Sequence, residues 1–329
     1  AFTRYIEPRY RDKAVHVVRN DRVDEQVRVG SRRVTFLADM ELNFDTTLRP
    51  GSLREFLRSL ASDDPKEAEA VQVPVDPAFV DREARLALMD SQGIESALLF
   101  PTLGVCVEHF MKADVEQTYA NLRAFNRWLL EAWGFNHRDR IFAPPVISLL
   151  DVGEAVKDLD WVLANGARMI TIRIGPARRR SPADPHFDAF WARANEAQLA
   201  VAYHAGDTGY NPMTSVFCAQ ETTPSSHSQS AFQWTNFYGD RPIMDTISAL
   251  ILHNLFGRFP NVKVLSVENG SLWVPYLMKV MDKMKGMGRG GPWLGGYVKG
   301  RPSEIFKEHV WVNPYHEEDH VYLASLLGA

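Results

Sequence analysis

From about residue 80 onward the apolar positions alternate between two patterns. One has the three-to-four spacing of an amphipathic helix, and the other is a short continuous run bounded by turn residues. Leu86 and Met89 mark a helix over Asp81 to Ser91 that Gly93 stops, and Ala97-Leu98-Leu99-Phe100-Pro101 follows as a buried strand. Tyr119, Leu122, Phe125, Leu129 and Trp133 predict a helix from Glu116 to Trp133, and Ile141 to Leu149 reads as a strand interrupted by Pro144-Pro145. Val152, Val156, Leu159 and Leu163 give the next helix, and Met169 to Arg173 the next strand. The rhythm continues with a helix over Phe187 to Gln198, a strand over Leu199 to His204, and a helix over Ile243 to Phe256. A strand at Lys263 to Val267, a helix over Leu272 to Met284, a strand at His309 to Val312 and a last helix over Val321 to Leu327 complete it.

Six strands that alternate with helices predict an α/β protein with a parallel sheet. A doubly wound nucleotide-binding sheet would carry a GxGxxG turn after its first strand, and none occurs; Gly286 to Gly291 follows a helix instead. The expected fold is therefore a TIM (β/α)8-type barrel. Both ends of the sequence read as cut from a longer chain, so the first and eighth strands are expected outside this one. The segment 1–79 has a different texture. His16 to Arg19 and Val27 to Val29 flank Asn20 to Asp24 as a small antiparallel ribbon, a short helix runs from Leu53 to Leu60, and Ala61 to Pro77 reads as exposed loop. The expected organisation is a ribbon and loop insertion over 1–79 and a barrel over 80–329.

Composition narrows the function. The chain has 329 residues, 45% hydrophobic, with a net charge of -4, which excludes disorder and a basic nucleic-acid footprint. No apolar run approaches the ~20 residues of a membrane span. Two cysteines, Cys106 and Cys218, make no disulfide scaffold and point to a reducing cytoplasm.

In a TIM barrel the chemistry sits where strands end. Strand alternation puts Met169, Thr171 and Arg173 on one face, Ala202 with His204, and Val264 and Ser266 with Glu268. Arg173, His204 and Glu268 are thus expected at one mouth, with Asn313 following the next strand as a second substrate-binding candidate beside Arg173. His204 could present a neutral imidazole to a metal or hydrogen-bond a carbonyl as a core histidine, and position alone leaves these readings level. Arg173 could hold a substrate carboxylate or pair with Glu268. Glu268 could be a general base, a metal partner or an anchor. His253 reads as a packed helix residue; His16, His109, His137, His186 and His309 read as surface or boundary residues. The segment from Asp207 to Asp240, which carries His227, is too long for a simple connection. With Phe217, Phe232, Trp234, Phe237 and Tyr238 it is expected to fold over the mouth or against a partner chain.

Several stretches resemble one family in combination. These are Arg85 to Asp90 with Gly93-Ile94 and Leu98 to Thr102; Tyr203-His204-Ala205-Gly206; Phe256 to Val264 leading into Glu268 to Pro275; and Ser303 to Phe306. Over roughly residues 80 to 329 the chain resembles the amidohydrolase-related proteins, the branch of the amidohydrolase superfamily that includes aminocarboxymuconate-semialdehyde decarboxylase. The resemblance implies a metal-dependent barrel that hydrolyses or decarboxylates small carboxylated or cyclic substrates. It implies a divalent metal, zinc first and manganese second, with His204 as the fifth-strand ligand and the first- and eighth-strand ligands outside this chain. Where the decarboxylase branch has a sixth-strand histidine, this chain has Asn269 after Glu268; these two are the catalytic candidates, although an asparagine cannot serve as a proton-transfer base. The expected protein is a cytoplasmic metal-dependent hydrolase or carboxy-lyase, a homodimer that binds a small molecule and neither nucleic acid nor membrane. The alternative is a catalytically silent barrel used as a binding or oligomerisation scaffold.

Overall fold

The computed structural model describes residues 1–19, 25–37, 46–59, 71–101, 103–225, 228–236 and 240–328. The ribbon turn at Asn20 to Asp24, most of the Ala61 to Pro77 loop, Thr102, His227, Phe237 and Tyr238 lie outside these residues.

In chain order the strands are β1 (Val15–Arg19), β2 (Glu25–Val29), β3 (Arg32–Arg33), β4 (Thr46–Leu48), β5 (Gln72–Pro74), β6 (Ala97–Leu98), β7 (Asn136–His137), β8 (Ile141–Phe142), β9 (Met169–Thr171), β10 (Ala200–His204), β11 (Lys263–Val267) and β12 (Val310–Val312). β1 and β2 form the expected antiparallel ribbon, Val15 opposite Val29. β6 pairs parallel to β8, and β9, β10, β11 and β12 form a parallel ladder in that order. A parallel bridge between Val146 and Thr171 joins the two groups. The six expected strands therefore lie side by side in sequence order, each reached through a helical crossover. Among the described residues no ladder joins β6 to β12.

The strand read over Ile141 to Leu149 pairs continuously only at its start. Pro144 and Pro145 offer no N–H to a neighbouring strand, so the ladder lapses there and resumes at Val146. A helix side chain fills the lapse. Asn126 donates from Nδ2 to the Val146 carbonyl (2.8 Å) and accepts the Val146 N–H on Oδ1 (2.9 Å). One and a half turns earlier on the same helix, Val115–Ala132, Asn121 accepts the Val15 N–H (2.7 Å) and donates to the Lys13 carbonyl (3.0 Å). Both asparagines are fully buried, so each amide satisfies backbone groups that water cannot reach.

The helices begin by one recurrent device. Asp81, Asp114, Asp151 and Asp319 each accept a backbone N–H from the first turn of the helix that follows, and Gly93 closes the first of these helices at φ 67°. One expected helix, Ile243 to Phe256, is split into Arg241–Leu252 and Leu255–Arg258. Asn254 sits between them at φ 56°, a conformation asparagine tolerates, and its side chain donates to the Gly295 carbonyl (3.0 Å). The outer layer packs on the sheet through Trp191, Trp273, Phe187, Phe190 and Phe306, all fully buried. The same apolar core takes in Phe2, Val15, Val27, Val29, Val34, Phe36 and Leu37 from the N-terminal segment. His309, expected at the surface or its boundary, is instead buried. Its ring stacks on Phe256 with centroids 4.3 Å apart, and its Nδ1 lies 3.0 Å from the Val262 carbonyl.

Candidate active site at the strand ends

β10 delivers His204 to the C-terminal edge of the sheet, and β11, in register beside it, delivers Glu268 one residue beyond the pair His204–Val267. The two side chains meet: His204 Nε2 lies 3.2 Å from Glu268 Oε2. The other imidazole nitrogen, Nδ1, is 2.6 Å from the Ala205 carbonyl. A carbonyl only accepts, so Nδ1 carries the proton and donates. In the neutral ring this leaves the Nε2 lone pair facing a carboxylate oxygen. Two acceptors at that distance need a proton or a cation between them. Two ligands each ~2.1 Å from one divalent ion are themselves roughly 3.0–3.4 Å apart, so the pair fits adjacent positions on a metal by distance and by donor chemistry. Among the described residues no group of three or more His, Cys, Asp or Glu side chains converges to complete such a set.

The surroundings hold this pair in place. Phe100 lies against the imidazole, ring centroids 5.5 Å apart. Glu268 adopts a left-handed backbone at φ 58°, and the Tyr315 hydroxyl donates to its carbonyl (3.0 Å). Asn269 turns inward: its Nδ2 donates to the carbonyls of Tyr203 (3.1 Å) and Val267 (2.8 Å), tying the ends of β10 and β11 together. Its amide protons are thus spent on the backbone directly beneath His204 and Glu268.

The other two candidates stand apart. Asn313 is exposed at the end of β12, and its backbone N–H donates to the Ser266 carbonyl (3.0 Å). Arg173 is largely but not fully buried, and its partners lie elsewhere than Glu268. Its guanidinium donates to the carbonyls of Thr208 (2.7 Å), Pro176 (2.7 Å) and Ile174 (3.1 Å), and its charge partner is Glu108, 3.6 Å away.

Four further groups sit at this mouth that the sequence pattern did not single out. Glu108 and His109 begin the short helix Glu108–Met111 in the connection after β6. Burial raises the Glu108 carboxyl, with Arg173 and the Ser148 hydroxyl opposing. His109 is pushed down to about 3 by burial and by the cations of Lys112 and Arg173, so it is neutral at physiological pH. Asp207, three residues past His204, is pushed up to about 6 by burial against the opposing Gly209 N–H, Arg173 and Lys112. The Cys106 thiol is pushed up to about 12 by burial and by the Asp207 and Glu268 carboxylates, which leaves it protonated and a poor nucleophile. Their common signal was position: each lies in a connection that leaves a strand end, and Asp207 follows directly on Ala205-Gly206.

Beside Asp207 opens a cavity of about 300 Å³, walled by Phe36 from the N-terminal segment, His109 and Phe110, and by Asn211, Thr222 and Thr223 from the long segment after β10. Asn211, Thr222 and Thr223 thus reach the space beside Asp207, one of the two places expected for this segment, while its Phe217 and Phe232, expected in a buried contact, are exposed. Gly209 supports the His109 wall. It holds φ 76°, and a Cβ there would collide with the imidazole. Gly209→Ala is expected to cost at least about 1–2 kcal/mol from backbone strain alone and to displace His109. The urea midpoint and the His109 imidazole NMR shifts check this; an unchanged midpoint with unmoved resonances would contradict it.

Comparisons with known proteins bear on the family and the fold. The family model described as Amidohydrolase matches residues 38–312. A crystal structure of an amidohydrolase from Mycobacterium avium subsp. paratuberculosis K-10 is 32% identical, with TM-score 0.82, over 99% of this chain and 83% of that one. Two decarboxylases share the fold at lower identity. The 5-carboxyvanillate decarboxylase of Novosphingobium aromaticivorans DSM 12444, complexed with manganese and 4-hydroxy-3-methoxy-5-nitrobenzoic acid, is 17% identical with TM-score 0.56 over 83% of this chain and 78% of that one. The 2,6-dihydroxybenzoate decarboxylase of Rhizobium is 17% identical with TM-score 0.54, over 85% of this chain and 80% of that one. A search of curated proteins returned no match. With a parallel sheet whose strand ends carry the candidate site, a family model spanning most of its length, and a 32% identical structural relative, this chain belongs to the amidohydrolase family.

Proposed function

We propose that this protein is a metal-dependent hydrolase or carboxy-lyase for a small carboxylated or cyclic substrate, built on a (β/α)8 barrel of which β6 and β8–β12 are six strands. Family membership supports an enzyme of the hydrolase or decarboxylase kind. The observation that carries the finer reading is the facing pair His204 Nε2 and Glu268 Oε2, whose 3.2 Å spacing suits adjacent ligands of a metal as well as a shared proton.

A divalent ion held by His204 and Glu268, zinc or manganese, would supply Lewis acidity to a substrate oxygen. The chain's own groups do the rest. The Ala205 carbonyl fixes the imidazole tautomer, which keeps the Nε2 lone pair turned outward. Asn269 fixes the spacing of the two strand ends. Phe100 shields one side of the imidazole from water. Asp207, poised near 6, can take or return a proton at its carboxylate close to neutral pH. The cavity beside it offers Phe36 and Phe110 as apolar walls and His109, Asn211 and Thr222 as hydrogen-bonding groups for a small molecule.

The reading extends to a cytoplasmic homodimer. It is supported by the 89% exposure of Phe217 beside Val216 on the long segment, an apolar surface a second copy could cover. No described helix is long and apolar enough to cross a membrane.

Metal analysis tests the proposal. The purified protein is expected to carry a divalent metal and to turn over members of a panel of aromatic carboxylic acids and lactones. Dipicolinate should remove the activity and manganese or zinc restore it. A metal-free protein whose turnover is indifferent to chelator and to added metal would overturn the reading.

A further inference from the structure

Arg173 occupies an unusual position for a residue at a catalytic mouth. Its side chain is only 10% exposed, and that of Glu108 only 5%. The guanidinium spends its donors on backbone carbonyls of two different connections, Ile174 and Pro176 after β9 and Thr208 after β10. Glu108 faces it from the connection after β6, and Glu108 Oε1 accepts the Ser148 hydroxyl (3.0 Å) from the connection after β8. One buried ion pair therefore gathers the connections of four consecutive strands.

The turn that follows His204 is packed to match. A Cβ at Gly206 would lie 2.8 Å from the Val105 carbonyl, and the Gly209 N–H donates to Asp207 Oδ1 (3.2 Å). Across from it Gly175 holds φ 94°, and its N–H donates to the Thr246 hydroxyl (3.0 Å). Thr208, whose carbonyl Arg173 grips at 2.7 Å, directly follows Asp207. Among the described residues neither Arg173 Nε nor Glu108 Oε2 has a hydrogen-bond partner, although both atoms are buried. The planar fork makes the carbonyl contacts, and the carboxylate supplies the charge that lets the cation stay buried.

We infer that Arg173 and Glu108 are a positioning pair for the chemistry proposed above: they contact no substrate but lock the 205–209 turn, and so fix Asp207 relative to His204 and Glu268. The inference takes the proposed function as its starting point, and its test separates the two.

The variants are Arg173→Gln, Arg173→Lys and Glu108→Gln in the full chain, read by hydrogen–deuterium exchange at the amides of 206–210 and by steady-state kinetics. Arg173→Gln is expected to speed exchange at Thr208 to Tyr210 by about tenfold or more. It should lower kcat by about tenfold or more with KM within about threefold, because misplacement of a reacting group is lost in the chemical step. Arg173→Lys keeps the charge beside Glu108 but lacks the fork, so it should recover part of the kcat. Glu108→Gln should fall between the parent and Arg173→Gln. Exchange at 206–210 unchanged in Arg173→Gln would overturn the inference. So would a rise in KM at constant kcat, which would make Arg173 a substrate ligand. If the parent turns over nothing, the functional reading fails while exchange still decides the pair. Should Arg173→Gln not accumulate as folded protein, Arg173→Lys carries the same comparison.

Discussion

His204→Ala is expected to lose more than ~100-fold in kcat/KM, beyond the range typical of removing a partner outside the ligand shell. The imidazole carries one half of the only close pair that the candidate residues form, 3.2 Å from Glu268. Its removal leaves a carboxylate facing an empty space. His204 is only 15% exposed and makes its own hydrogen bond to the adjacent carbonyl, so few neighbours depend on it for support. The substituted protein should therefore fold, with an unfolding free energy from urea titration within about 1 kcal/mol of the parent, and hold less metal. Kinetics with metal analysis of the same preparation decide the matter. Parental activity in a folded His204→Ala protein would remove the residue from the site. Loss of both fold and activity would make it a structural histidine.

The largest expected effect on stability comes from the helix layer. Trp191→Ala should destabilise the protein by about 3–5 kcal/mol, read as a fall in the urea midpoint at constant slope. Trp191 is fully buried in the helix Asp188–Glu196, sets its ring at 80° to Phe190 with centroids 5.3 Å apart, and donates from Nε1 to the Pro182 carbonyl (2.8 Å). Truncation opens a cavity that the surrounding strands and helices cannot close and strands a buried carbonyl. A fall below about 1 kcal/mol would mean that the layer collapses into the space, which its close packing argues against.

How far the sequence could be read follows from which forces are local. The helix from Arg82 to Gln92 was legible because its apolar spacing and its terminal glycine lie within one short stretch of chain. The order and direction of the six parallel strands followed from alternation alone. Strand parity put His204 and Glu268 on one face, and the register corrects it: His204 pairs with Val267, so Glu268 falls on the opposite parity, and the two side chains meet where the chain leaves the strand pattern at the left-handed Glu268. Arg173 shared the parity of His204 but not its partner. Parity says which face a side chain leaves from and nothing about what its long chain will reach, and here Thr208, Pro176 and Glu108 lay closer than Glu268. Glu108, His109 and Asp207 were missed because they sit in irregular connections, where no period exists to place them. The break at Asn254 was hidden for a related reason. The carbonyl its side chain reaches belongs to Gly295, far along the chain, so a continuous apolar pattern gave no warning of it.

The helix Val115–Ala132 carries two rivets on different sides, Asn121 gripping the backbone at Val15 and Asn126 gripping it at Val146. Each added residue turns a helix by about 100°. Inserting a single alanine between the two would swing one amide off its target while the other stayed seated, and two backbone groups in the interior would be left bare at whichever end let go. The ribbon and the sheet are thus indexed to one another by a count along a rod, so that this part of the chain should tolerate substitution on its solvent side far better than any change of length.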